Sequence, residues 1–272
     1  MTDMFRNLPA DTLASLRFLS RLPIPYSNET PLPDFRRQAH TFPLAGLLIA
    51  IPAAIITALS IAIGLPDAVI ALLTIATTAI VTGALHEDGL ADVADGFWGG
   101  HTRDRKLQIM RDSSIGSYGM LALILKVGLT AAAMTGALST YSPATFCIAL
   151  AAATALSRAT MLWPWVTLEN ARPSSGKDDA GTKNEAGLSA RFGLPDRTTL
   201  KGTLVLSLLP TALLLSATDL STTIITLLAM ALTTFALTRI ANHHIGGHTG
   251  DVLGATQQIT FLVFWIALLA TT

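Results

Sequence analysis

Seven long apolar runs, at residues 42–63, 68–85, 118–140, 143–166, 199–217, 220–240 and 252–272, constrain this chain more than any motif in it. Each falls within the ~17–25 residues that an α-helix needs to cross ~30 Å of hydrocarbon. Lipid offers no partner to a bare N–H or C=O, and the runs lack the alternation of a barrel strand. The predicted fold is therefore all-α: a multi-pass transmembrane helical bundle of about seven spans, in a single integral-membrane domain covering residues 1–272. Composition agrees, since 51% hydrophobic residues, 13% charged residues and a mean hydropathy of +0.53 exclude an ordinary soluble domain. The 18 basic side chains are balanced by 18 acidic ones, which argues against a nucleic-acid partner.

Basic residues assign the two sides of the bilayer. The N-terminal segment holds Arg6, Arg17, Arg21, Arg36 and Arg37, the connection 86–117 holds Arg103, Arg105, Lys106 and Arg111, and the connection 167–198 holds Arg172, Lys177, Lys183, Arg191 and Arg197. The alternate connections, near 64–67, 141–142 and 218–219, hold none. By the positive-inside rule the N-terminus and the long connections are expected in the cytoplasm, together with all six histidines, and the C-terminus on the other side. Residues 10–23 are expected to form a helix along the interface, stopped by Pro23, because Arg17 and Arg21 break the apolar run before it can cross. The single Cys147 lies in a span and has no partner for an intramolecular disulfide, and no cleavable signal peptide is expected. The 167–198 connection, with Ser174, Ser175, Gly176, Lys177, Asp178 and Asp179, reads either as a lid that orders around a ligand or as plain disorder.

Chemistry points to the stretch His86-Glu87-Asp88-Gly89-Leu90-Ala91-Asp92-Val93-Ala94-Asp95-Gly96, which begins where the second run ends. On a helix, Asp88, Asp92 and Asp95 stand at i, i+4 and i+7 and project into one narrow sector, where like charges repel unless a cation neutralises them. Three polar residues inside the spans, Lys126, Arg158 and Gln257, share a depth of roughly 8–12 Å at ~1.5 Å per helical residue, which predicts one polar pocket opening toward the acids. Snorkelling of Lys126 and Arg158 to the headgroups is the competing reading. Carboxylates, guanidinium groups and an embedded pocket fit phosphoryl transfer from a diphosphate. Mg2+ prefers hard oxygens and bridges phosphates, and Arg103, Arg105 and Arg111 are candidates to hold further phosphate oxygens, although topology alone also accounts for them. In the second polar stretch, His243-His244-Ile245-Gly246-Gly247-His248-Thr249-Gly250-Asp251, the histidine spacing fits no closed zinc pattern. Asp251 reads either as a metal or phosphate ligand or as a helix cap.

Several segments together resemble the cobalamin synthases, also called adenosylcobinamide-GDP ribazoletransferases. They are Phe18-Leu-Ser-Arg-Leu-Pro-Ile-Pro25, Gly83 through Gly96, Arg105 through Gly119 with Ile109-Met-Arg-Asp-Ser113, Ser157-Arg158, and Thr249 through Ala255. The resemblance implies a multi-pass enzyme of a prokaryotic inner or plasma membrane that uses Mg2+ to join α-ribazole, or its 5′-phosphate, to adenosylcobinamide-GDP with release of GMP. It places Asp88, Asp92 and Asp95, assisted by Glu87 and Asp251, on the metal, and leaves the base open between His86 and a carboxylate. A homo-oligomer is left open too. The CDP-alcohol phosphotransferases match less well, because Asp92 stands where their pattern has Arg and Gly96–Gly100 lack their further acids. Intramembrane prenyltransferases need a second aspartate motif. A secondary transporter would show an internal repeat, and none is convincing.

Overall fold

The computed structural model describes residues 5–25, 34–172 and 194–271; of the 167–198 connection read as a lid or as disorder, residues 173–193, with Lys177, Lys183 and Arg191, lie outside them. The described residues form α-helices joined by turns, in the order α1 (Leu8–Leu19), α2 (Phe35–Gln38), α3 (Phe42–Ala62), α4 (Asp67–Thr82), α5 (Leu85–Gly99), α6 (Arg103–Ile109), α7 (Ser117–Thr140), α8 (Pro143–Thr160), α9 (Leu162–Thr167), α10 (Arg197–Ala217), α11 (Leu220–Ile245) and α12 (Gly250–Ala270). Among them, six helical stretches are long and apolar enough to cross a membrane, and α4 with α5 forms a bent pair that counts as a seventh. The predicted spans match these helices closely.

The molecule is apolar outside as well as within, unlike a soluble bundle. Ile55, Leu59, Ile80, Ile124, Leu208 and Leu232 face outward, while threonines, serines and several ionisable groups sit inside. Without a hydrophobic drive between helices in lipid, association relies on close backbone approach and hydrogen bonds. Gly46 supplies the first on α3, since a Cβ there would fall 2.6 Å from Ala155 Cα of α8. Thr57 and Thr74, 2.6 Å apart between α3 and α4, and Thr160 and Thr260, 3.0 Å apart between α8 and α12, supply the second. Helix α12 runs through the middle, with 78% of its most apolar window buried.

Two features depart from expectation and shape the site. The N-terminal helix ends at Leu19 rather than Pro23: Ser20 adopts extended backbone, its hydroxyl turns back to the Leu16 carbonyl, and the Arg21 amide donates to Val81 O of α4 at 2.7 Å. The connection 86–117 holds α5, the helix on which the three aspartates were expected, and α6, but α5 meets the span before it at a sharp corner. Helix α5 leaves α4 at 93°, through Gly83 (φ +64°) and Ala84 (φ +55°), two successive left-handed residues. That conformation costs a non-glycine residue about 1–2 kcal/mol. A side chain at Gly83 would also meet the Arg21 side chain.

Candidate active site

The acid sector exists, but its three members have different duties. Asp95 is buried; its Oδ2 accepts from the Gly116 amide at 2.7 Å and its Oδ1 from the Gly119 amide at 2.9 Å. It caps the N-terminus of α7 across the fold, and a Cβ at Gly116 or Gly119 would strike its carboxylate. Amides thus engage both oxygens of Asp95, which gives it a capping duty beside the metal role expected of it; each oxygen keeps a second lone pair. Asp88 is exposed and Asp92 half-buried on the same face of α5. Among the described residues, no three His, Cys, Asp or Glu side chains are gathered tightly enough to hold an ion by themselves.

Helix α12 brings the next acid. Gly89 of α5 lies against the Asp251 backbone, where a Cβ would come 2.9 Å from Asp251 O, and Gly254 lies against His86 and Gly89 in the same way. The Asp92 carboxylate interacts electrostatically with those of Asp251, Asp88 and Asp95, and with the Arg172 guanidinium. Arg172 Nη2 pairs with Asp251 Oδ2 at 2.9 Å, and the Thr249 hydroxyl donates to the same oxygen at 3.1 Å while accepting from the Val252 amide as the helix cap. Asp251 thus lies beside the acid face, and the cap is Thr249. The segment carrying Arg172 is stitched to the α11–α12 turn, with Ala171 N donating to His248 O at 2.9 Å and His248 N to Glu169 O at 2.8 Å. The buried His248 ring contacts Leu168 O at 3.1 Å, and burial holds its pKa below the usual histidine value. His244 stacks on Phe97 instead, 4.5 Å between ring centroids, so the histidines diverge.

Glu87 points away from this face. Its Oε1 lies 3.9 Å from Lys126 Nζ, and both line a small cavity with Arg158, Gln257 and Gln258. Gln257 Nε2 donates to Ser157 Oγ at 2.9 Å, Gln258 Nε2 to Gln257 Oε1 at 2.8 Å, and Arg158 Nη1 to Thr154 O at 2.8 Å. Lys126, Arg158 and Gln257 do share a pocket, and neither cation snorkels, since both are buried. The free space among them, about 10 Å3, is on the scale of a single water, too small for a phosphate group. Glu87, expected on the metal, and Lys126, Arg158 and Gln257, expected at substrate phosphate, are gathered with one another behind α5.

The basic residues nominated from the connection also serve elsewhere. Arg103 donates to Ile245 O at 2.8 Å and Ala171 O at 2.5 Å, clamping the turn that carries Arg172. Arg105 bonds Gln108 at 2.8 Å and lines a cleft with Asp95, Asp112 and Tyr118, and Arg111 is exposed. The residues that border the acids come from the N-terminal helix. Arg17, Phe18 and Arg21 line a cavity of about 510 Å3 together with Asp88. A second cavity, of about 230 Å3, shares Phe18, Leu85 and Asp88 with the first and continues inward past His86, Phe35, Met161, Trp165 and Asp251. Sequence reasoning gave Arg17 and Arg21 only a topological part. The signal that could have found them is the Phe18–Pro25 segment, which already carried the resemblance.

Known proteins resemble the chain along nearly its whole length. The family model described as cobalamin-5-phosphate synthase matches residues 11–269. Adenosylcobinamide-GDP ribazoletransferase of Azorhizobium caulinodans is 41% identical over 263 residues, covering 96% of this chain and 95% of that protein. The proteins of the same name from Sinorhizobium medicae and Rhizobium meliloti are each 40% identical, over 257 and 261 residues, with 92% and 94% of both chains covered. No solved structure matches. With the acid helix, its glycine contacts and the full span of the match in place, the chain belongs to the cobalamin-5-phosphate synthase family.

Proposed function

We propose that this protein joins α-ribazole, or α-ribazole 5′-phosphate, to the corrinoid half of adenosylcobinamide-GDP and releases GMP. The name shared by the relatives supports the reaction, and one observation carries it structurally: exposed Asp88 shares a cavity with Arg17 and Arg21, and half-buried Asp92 on the same face of α5 interacts electrostatically with Asp88 and Arg172. A ribazole hydroxyl attacks the phosphorus nearer the corrinoid, the new P–O bond forms, and the bond to GMP breaks.

Mg2+ fits this donor set. The carboxylates of Asp88, Asp92 and Asp251 repel one another and supply hard oxygens, and Mg2+ usually takes one or two protein carboxylates plus substrate phosphates, so a closed cluster of three is not required. Asp88 and Asp92 would hold it, and there it would supply the positive charge that offsets charge on the departing GMP. Arg17 and Arg21 hold non-bridging oxygens, and Arg172 fixes Asp251 at the rim. The hydroxyl proton goes to His86 or Asp88, both of which line the smaller cavity. The positive-inside pattern supports a site on the cytoplasmic face.

The test is chromatographic assay of GMP from purified protein in phospholipid nanodiscs, supplied with both substrates and Mg2+. Release should stop with chelator, and Asp92→Asn should lower it on the order of a thousandfold, the several kcal/mol expected of charge stabilisation by a metal. Substantial turnover by Asp92→Asn in folded protein would overturn the metal role.

A further inference from the structure

The smaller cavity has a composition unlike the rest of the site. Three aromatic side chains, Phe18, Phe35 and Trp165, line it with Met161 and Leu253, and the rings of Phe18 and Phe35 lie 4.6 Å apart, those of Phe35 and Trp165 5.4 Å apart. Two of its lining side chains carry polar atoms that find no partner: both ring nitrogens of His86, which is 1% exposed, and Nε1 of Trp165, which is 4% exposed. Buried polar atoms are nearly always satisfied, so orphans around a void point to a missing guest. At about 230 Å3 the space sits below the usual range for a whole drug-sized ligand and admits one ring system.

The identity of that ring system follows from its polar edge. The polar part of the lining is limited to His86, the Trp165 indole N–H and the carboxylates of Asp88 and Asp251, the last already paired with Arg172, so a base with broad flat faces and few polar atoms fits the mostly apolar wall better than guanine with its several donors and acceptors. A glycosylated benzimidazole keeps one ring nitrogen and otherwise offers flat apolar surface, which aromatic walls hold well. We propose that this cavity seats the base of the acceptor nucleoside, a benzimidazole-type bicycle. Its ribose lies at Asp88, the residue common to this cavity and the Arg17–Arg21 cleft. The donor diphosphate then occupies the basic cleft, and the two substrates meet at the acid helix. This inference rests on the transfer reaction proposed above.

Equilibrium binding and steady-state kinetics on the full-length protein in nanodiscs separate the two ideas. Radiolabelled α-ribazole should bind without donor, guanosine should not compete, and Phe35→Ala, which removes a wall, and Met161→Phe, which fills the space, should each weaken binding and raise the acceptor KM roughly tenfold. The donor KM should stay unchanged. Retained donor binding shows that a variant has folded, and two variants of opposite volume guard against misreading one that has not. Wild-type acceptor KM in both variants, competition by guanosine, or no binding of α-ribazole would overturn the pocket assignment while leaving the reaction standing. Pocket-sensitive binding without any GMP release would do the reverse.

Discussion

Individual residues divide into those whose chemistry is local and those whose chemistry depends on a distant partner. The angular relation among Asp88, Asp92 and Asp95 follows from helical geometry and could be read directly. That Asp95 spends its carboxylate on amides 21 and 24 positions away could not, because no local pattern encodes that contact. Asp95→Ala should therefore act through folding: losing two hydrogen bonds to a charged acceptor costs about 3–6 kcal/mol, visible as a lowered melting temperature and poor recovery from membranes. Melting at the wild-type temperature would contradict the capping role. The same reasoning applies to Glu87 and Lys126, whose shared depth was legible and whose pairing was not. Glu87→Gln should destabilise by about 3–5 kcal/mol, since it leaves a buried cation uncompensated, and Lys126→Met on top of it should recover much of the loss. Additive losses in that double-mutant cycle would show that the two groups do not interact.

Helices were easier than the joints between them. Apolar length gave the spans within a few residues, because each must cover the same thickness of hydrocarbon. The right-angle corner after α4 stayed hidden, since Ala84 gives no sequence signal for left-handed backbone. The early end of α1 was hidden for a similar reason: it depends on a hydrogen bond from the Arg21 amide to Val81 O of another helix. The stitch between residues 168–172 and the α11–α12 turn belongs to this scale and carries a pH dependence. Burial lowers the His248 pKa in the folded state, so protonation favours the unfolded chain. The stitch contributes fully above the unfolded value of about 6.5 and is lost as pH falls below it toward the folded value. Melting temperature should drop below pH 6.5 in the wild type, and His248→Asn should flatten that slope even if it lowers stability throughout. An unchanged slope in the variant would assign the effect to other groups.

The whole chain reads as a membrane bundle from composition alone, and its outward isoleucines and leucines agree. Its orientation rests on charge asymmetry and can be measured. In a Cys147→Ala background, an impermeant maleimide should label Ser216→Cys in intact cells, and His101→Cys only after the membrane is opened; the opposite pattern would invert the topology. The corner between α4 and α5 has a further consequence at this scale. If α4 follows the bilayer normal, the 93° turn lays the acid helix flat, like a shelf at the level of the lipid phosphates. A bulky, water-borne cargo can then be worked on from above without entering the oil, while the shelf's bracket of Glu87, Lys126 and Arg158 stays sunk beneath it.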